Sequence, residues 1–83
     1  MDEIFVEVYL PASGKSYDIQ IPYNAKLHIV TGMIANALSE LSEGEFKDNG
    51  KSILVDMESG NIFNINFSAY ELGLVNGSRL MLI

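Results

Sequence analysis

The first 22 residues contain two segments whose residues favour β-strands. Residues 4–10 are rich in β-branched and aromatic side chains, which favour strands. Residues 16–21 alternate strictly between apolar and polar side chains, as a half-buried strand does. Turn-forming residues at 11–15 join the two segments, so the pattern predicts a β-hairpin that ends at Pro22, which has no N–H for a strand ladder.

The period then changes to steps of three and four residues, which is typical of an amphipathic helix. We predict one helix from near Ala25 to near Leu41, with Asn24 as the candidate N-cap. The alternative is a start one or two residues later, because the positive charge of Lys26 is unfavourable at the N-terminal end of the helix dipole. Its apolar stripe comprises Leu27, Val30, Ile34, Leu38 and Leu41. The stripe is widened by Ile29, Met33 and Ala37.

The rest of the chain returns to strand-like segments after a polar, glycine-punctuated loop at 39–51. The pattern predicts a third strand at 52–57, a short fourth strand at 62–67, a helical turn at 68–72 and a last strand at 78–83. One hairpin, one crossover helix and a returning antiparallel part predict an α+β fold with a mixed sheet of four or five strands packed on one helix. With 83 residues, we expect a single domain over 1–83.

Strand alternation predicts which residues face the helix and which face solvent. The predicted core comprises Ile4, Val6, Val8, Ile19, Ile21, Leu27, Val30, Ile34, Val55, Leu72, Leu74, Leu80 and Leu82. In the third strand, alternation turns Ile53, Val55 and Met57 inward and Leu54 outward.

An apolar set is left on the open face of the predicted sheet, where a solvated surface would be polar. It comprises Phe5, Leu54, Met81 and Ile83. Contiguous exposed apolar area normally marks an interface, so we expect this face to bind a protein partner or a second copy of the chain as a homodimer. The alternatives are that residues 39–51 fold across part of the face, or that these are scattered exposed side chains without a role.

Charge and residue types narrow the range of functions. Eleven acidic residues against five basic ones give a formal charge of −6, which argues against binding nucleic acid or anionic lipid. The sequence has no cysteine, no basic apolar leader and no apolar run of the roughly 18–20 residues that span a bilayer, so we expect a cytoplasmic protein without membrane insertion.

The sequence offers no catalytic or metal-binding pattern. His28 is the only imidazole, and nothing in its spacing suggests a triad. Asp56 and Glu58 flank a turn but lack the further oxygen ligands of a calcium loop, and no phosphate-binding glycine motif is present. We therefore expect no enzyme activity, no cofactor and no metal.

Two segments resemble ubiquitin-like proteins. Residues 4–8, Ile-Phe-Val-Glu-Val, resemble the first strand of ubiquitin, and Leu-Gly-Leu-Val-Asn-Gly-Ser-Arg-Leu at 72–80 resembles the end of ubiquitin-like domains. The order of elements is that of the β-grasp fold, so the resemblance covers nearly the whole chain. Length and the ending are also similar to the YukD/EsaB family, small bacterial ubiquitin-like proteins associated with the type VII (WXG100) secretion system.

The resemblance implies a ubiquitin-like β-grasp fold and a non-catalytic protein-binding role. It implies a cytosolic accessory or regulatory component of type VII secretion, whose partners include membrane subunits of the machinery. It also matches Leu54, Met81 and Ile83 to the main hydrophobic recognition patch of ubiquitin, and Phe5 to a smaller aromatic site.

One departure from ubiquitin bears on the expected chemistry. Ubiquitin and the related sulfur carriers end in a flexible tail with Gly-Gly, whereas this sequence ends in a strand-like run at 80–83, Leu-Met-Leu-Ile. We therefore expect no conjugation. The alternatives are a ubiquitin-like or sulfur carrier whose Gly-Gly follows Ile83 in a longer chain, and an acidic inhibitor of a basic partner.

Overall fold

The sheet is built on an N-terminal hairpin. In a computed structural model of the protein, which describes residues 2–47 and 50–83, β1 spans Glu3–Leu10 and β2 spans Lys15–Pro22. They run antiparallel in a register that pairs Ile4 with Ile21. Because β-branched and alternating residues fill both segments, the predicted hairpin is confirmed, with a loop one residue shorter than expected.

Helix α1, Leu27–Leu41, packs on one face of the sheet. Its buried residues are Leu27, Val30, Ile34, Ala35 and Leu38. Leu41, Ile29 and Met33 are about half exposed, so the predicted wide apolar stripe was wrong at these three positions. A helix that meets a single sheet face buries a narrow stripe, so Ile29 and Met33 to one side of it stay in solvent. Leu41 lies in line with the stripe but is the last residue of the helix.

The helix begins at Leu27, which agrees with the later of the two predicted starts, and backbone groups cap its first turn. Lys26 is the N-cap residue and makes no side-chain cap, so Asn24 does not serve as the cap. The N–H groups of Leu27 and His28 donate to the carbonyl oxygens of Phe67 and Ile65, at 2.8 and 3.1 Å. The first donors of a helix need acceptors outside it, and here a distant segment supplies them.

Two short strands complete the sheet. β3 spans Leu54–Asp56 and β4 spans Ser78–Leu82. β4 runs parallel to β1 and antiparallel to β3, and the order across the sheet is β2-β1-β4-β3. The described residues thus form a four-stranded mixed sheet with one helix on it, and the predicted α+β architecture is confirmed.

The fourth strand predicted at 62–67 was wrong. Ile62 makes one isolated bridge to Val55, after which the chain turns. The side-chain oxygen Oδ1 of Asn64 accepts from the N–H of Asn66 at 2.9 Å, and its carbonyl accepts from Phe67. An asparagine side chain that bonds nearby backbone competes with a strand ladder, and here the turn prevails.

The core lies between the helix and the sheet. It takes the inward residues of all four strands, the buried stripe of α1 and two residues of the 69–74 segment, Ala69 and Leu74. Most of the predicted core is confirmed. The additions are Leu10, Ala35, Leu38, Leu54 and Ala69. Leu72 is partly buried against the cluster, and Val55 is buried but lies outside it.

A reciprocal cap stabilises the turn that precedes β4. The backbone N–H of Ser68 donates to Oε1 of Glu71 at 2.9 Å, and the Glu71 N–H donates to Oγ of Ser68 at 3.1 Å. The Lys26 ammonium lies 3.5 Å from the same Oε1. The hydrogen bond from the Ser68 backbone, with Lys26 adding a favourable charge, holds the pKa of the Glu71 carboxyl below its ordinary value of 4.5.

This cap predicts an acid-dependent loss of stability. Because the folded pKa of Glu71 lies below the unfolded one, its ionised form favours the folded state above about pH 4.5, and that gain disappears as pH falls through the folded pKa. We expect Glu71→Gln to flatten the decline of unfolding free energy below pH 4.5, measured by urea denaturation at several pH values. The control is Glu40→Gln, an exposed helix residue. An unchanged acid slope in Glu71→Gln would contradict the assignment.

Candidate functional site

The face of the sheet opposite the helix carries the residues that the sequence singled out for binding. On β1 the side chains that alternate with the core residues are Phe5, Glu7 and Tyr9. On β4 they are Arg79 and Met81, with Ile83 continuing the alternation. Phe5 and Ile83 are about half exposed, and Met81 is partly exposed.

Leu54 does not belong to this face. Its side chain is 3% exposed and lies in the core cluster, and its partner across the β3–β4 pair is Leu82, which is 1% exposed. The prediction that Leu54 points outward was therefore wrong, and Leu54 cannot contact a partner at the surface. The predicted inward orientation of Ile53 also fails, since Ile53 is 41% exposed.

The reason for this inversion is the role of Asp56. Its carboxylate accepts from the N–H of Glu58 at 3.1 Å and from Oγ of Ser59 at 2.9 Å, which starts the turn after β3. The polarity of Asp56 thus serves the turn and does not mark the solvent face. Without Asp56 as a guide, the residues at 53–55 are all apolar, Ile-Leu-Val, so alternation cannot decide which of them face the helix.

The apolar residues at one end of the open face come from three strands or their immediate extensions. Met81 pairs with Tyr9 of β1 on one side and with Val55 of β3 on the other. Ile53 and Ile83 exchange two backbone hydrogen bonds, of 2.8 and 3.0 Å, one step beyond the β3–β4 ladder. We call Tyr9, Ile53, Met81 and Ile83 the open-face patch.

Phe5 is separated from the open-face patch by an ion pair. Glu7 and Arg79 pair in the strand register, and Nε of Arg79 lies 3.3 Å from Oε2 of Glu7. Phe5 lies two residues before Glu7, and Tyr9 lies two residues after it. The structure therefore brings Met81 and Ile83 together, places Phe5 at the other end of the face, and removes Leu54.

Sequence reasoning missed two members of the patch, Tyr9 and Ile53. Tyr9 joins it because the parallel pairing of β1 with β4 sets Tyr9 beside Met81. Ile53 joins it because the antiparallel pairing of β3 with β4 sets Ile53 beside Ile83. Both pairings link segments more than 25 residues apart, so no local pattern could have identified these residues.

A second apolar surface lies beside the helix. A groove of about 390 Å³ runs between α1 and the segments at 52–54 and 62–65. Its lining includes Leu27, His28, Gly32, Ile62 and Ile65. Ile53 precedes β3, the edge strand of the sheet, and borders both this groove and the open-face patch. Such a groove suits an apolar group, and the single imidazole of His28 is the only titratable side chain among its lining residues. The sequence did not reveal it because residues 62–65 were assigned to a strand.

The described residues carry no arrangement for metal binding. Within residues 2–47 and 50–83, no group of three or more histidine, aspartate or glutamate side chains is placed to hold a metal ion. Over the same ranges, no helix is long and apolar enough to cross a membrane.

Comparisons with known proteins identify the fold. No protein-family model and no curated protein sequence matches this chain. Among solved structures, the ubiquitin-like domain of the Mycobacterium tuberculosis type VII secretion protein EccD1 is similar, with a TM-score of 0.78 and 17% identity, over 100% of this chain and 99% of that one.

Two further structures show the same architecture in larger assemblies. A chain of an ESX-5 inner membrane complex matches with a TM-score of 0.80 and 20% identity, over 100% of this chain and 21% of that one. A chain of a toluene 4-monooxygenase complex matches with a TM-score of 0.79 and 12% identity, over 96% of this chain and 95% of that one. At identities this low, the structural similarity establishes a shared fold alone. The protein has a ubiquitin-like β-grasp fold.

Proposed function

We propose that this protein is a non-catalytic, non-conjugated ubiquitin-like module that binds another protein through its open sheet face. The observation that carries the proposal is the open-face patch, in which Tyr9, Ile53, Met81 and Ile83 lie side by side on strands rather than scattered over the surface. Contiguous exposed apolar area of this kind normally marks an interface. Methionine at its centre, in Met81, suits adaptable contacts.

We also propose that the partner is a membrane subunit of a type VII secretion system, for which this protein acts as a cytosolic accessory component. The similarity to the EccD1 domain over the whole of both chains supports this. The resemblance of residues 72–80 to the ending of the YukD/EsaB family supports it independently.

The test is affinity capture from detergent-solubilised membranes of the host, with the tagged wild-type protein and two variants. Met81→Glu/Ile83→Glu places two carboxylates in the patch, and Ile29→Glu changes an apolar helix residue that is half exposed and away from the sheet. We expect the wild type and Ile29→Glu to retain secretion subunits, identified by mass spectrometry. We expect Met81→Glu/Ile83→Glu to lose at least about nine-tenths of them, because a charge desolvated at an interface without a partner costs several kcal/mol.

Each part of the proposal has its own contrary outcome. Retention of the same partner by a folded Met81→Glu/Ile83→Glu variant would contradict the patch. Capture of a partner unrelated to secretion, lost in that variant, would keep the patch and contradict the secretion role. Capture of only untagged copies of this chain by the wild type, lost in that variant, would identify the patch as a homodimer surface.

The acidic composition favours one alternative, an inhibitor that binds a basic partner. A charge of −6 attracts a basic surface over long range, and such binding weakens steeply as salt screens it. Binding through the open-face patch depends weakly on salt. Repeating the capture between low and high sodium chloride therefore separates the two functions.

A further inference from the structure

The junction between β1 and the start of β4 holds an asparagine–glycine pair by both of its reactive groups. The N–H of Gly77 donates to the carbonyl oxygen of Phe5 at 2.9 Å. The side-chain oxygen Oδ1 of Asn76 accepts from the N–H of Phe5, also at 2.9 Å. Phe5 thus binds the backbone nitrogen of Gly77 and the side chain of Asn76 at the same time.

These are the two groups that react when an asparagine deamidates. The backbone nitrogen of the following residue loses its proton and attacks Cγ of the asparagine, and ammonia leaves as a five-membered succinimide forms. Water then opens the ring, so that one water is consumed and one ammonia released for each asparagine converted to aspartate or isoaspartate. Asn-Gly is the most reactive pair because glycine has no side chain to obstruct the attack. Only Asn49 and Asn76 precede glycine in this sequence.

We propose that Asn76 is a latent deamidation site whose reaction is blocked by the β1–β4 junction and starts when that junction opens. Ring closure requires that the Gly77 nitrogen release the Phe5 carbonyl and that the Asn76 side chain rotate away from the Phe5 N–H. Both hydrogen bonds must break together, which is a local opening of the sheet. This inference does not depend on the proposed function.

The turn itself adds to the restraint. The N–H of Val75 donates to Oγ of Ser78 at 2.9 Å, and the N–H of Ser78 donates to the Val75 carbonyl at 3.0 Å. Gly77 has a φ of 91°, in the region that glycine adopts without strain. The backbone around Asn76 is therefore held from both sides, and it cannot reach the attack geometry by a small local adjustment.

The two products have different consequences for the fold. Aspartate keeps an oxygen acceptor for the Phe5 N–H. Isoaspartate adds a methylene to the main chain, which moves Gly77 out of register with Phe5 and frees one end of β4. Loss of ammonia makes the conversion of asparagine irreversible, and isoaspartate leaves the junction open, beside the half-exposed Phe5 of the open sheet face.

The experiment compares deamidation of the full-length protein in native buffer and in concentrated urea, at the same pH and temperature, by peptide mapping with mass spectrometry. We expect Asn76 to convert at least about tenfold more slowly in the native protein than in the unfolded one, because only the small fraction of native molecules whose β1–β4 junction is open can react. In urea, Asn49, which also precedes a glycine, gives the reference rate for an unrestrained Asn-Gly pair. Asn49 lies outside the described residues. Hydrogen exchange of the Gly77 amide should show matching protection.

A variant tests the cause. Ser78→Ala removes one restraint of the turn, and we expect faster native deamidation at Asn76 with an unchanged rate in urea, after circular dichroism confirms the fold. A native rate for the wild type within about twofold of the rate in urea would overturn the proposal, whatever the variant does. A native rate above that in urea would also overturn it, since the Phe5 N–H would then be activating the Asn76 carboxamide.

Discussion

Leu54→Glu is expected to unfold the protein. Leu54 is buried between the helix and the sheet, and a carboxylate there would lose its hydration without gaining a partner. Leu54→Ala alone should lower the free energy of unfolding by about 2–5 kcal/mol, and glutamate should lower it further. Total stability for a domain of this size is on the order of 5–15 kcal/mol at most, so far-UV circular dichroism and urea denaturation should show a largely unfolded Leu54→Glu.

The neighbouring residue provides a matched control. Ile53 is exposed, and Ile53→Glu should change stability by less than about 1 kcal/mol in the same measurements. The sequence pattern, which turns Leu54 outward and Ile53 inward, predicts the reverse: a folded Leu54→Glu and an unfolded Ile53→Glu. The pair of variants therefore decides the orientation of β3 without any knowledge of a partner.

Ile34→Ala is expected to have the second-largest effect, a loss of about 2–5 kcal/mol in the free energy of unfolding. Ile34 is fully buried at the centre of the stripe by which α1 packs on the sheet. Removing three carbon atoms there leaves a cavity that the surrounding strands cannot fill without moving. Urea denaturation should show a lower midpoint with an unchanged slope.

The adjacent Met33 is the control for this prediction. It is 47% exposed, and Met33→Ala should cost less than about 1 kcal/mol, because little apolar area is lost and alanine favours the helix. Equal losses for the two variants would mean that the helix buries both sides of its stripe, as the periodicity of the sequence suggested.

Local sequence patterns predicted the structure correctly where the type of each residue reflected only its place in a strand or helix. In β2, polarity alternates with the face of the sheet, so alternation located the strand. In β1, β-branched and aromatic content located the strand, and alternation then separated its buried residues from Phe5, Glu7 and Tyr9. In α1, the three-and-four spacing located the buried stripe from Leu27 to Leu38. These elements, together with the predicted third and last strands, gave the α+β architecture, and the resemblance of residues 4–8 and 72–80 to ubiquitin-like proteins added the β-grasp fold.

Local patterns failed where a residue served a second function. Asp56 is polar because it starts a turn, and treating it as a solvent-face residue reversed the orientation of the third strand. Asn64 bonds the backbone of its own turn, which ended the strand predicted at 62–67. The same segment contributes the carbonyl groups that cap the helix, a role that only the folded chain reveals.

The candidate site shows the same division. The sequence by itself determined that apolar residues, among them Met81 and Ile83, lie on an outward face of the last strand, because alternation within one strand is a local property. The tertiary structure alone decided which residues surround them. The register of β4 against β1 and β3 brought Tyr9 and Ile53 to the open-face patch, buried Leu54 and placed the Glu7–Arg79 pair between the patch and Phe5. Register joins segments far apart in the chain, and it is set by the packing of the whole core, which no local pattern contains.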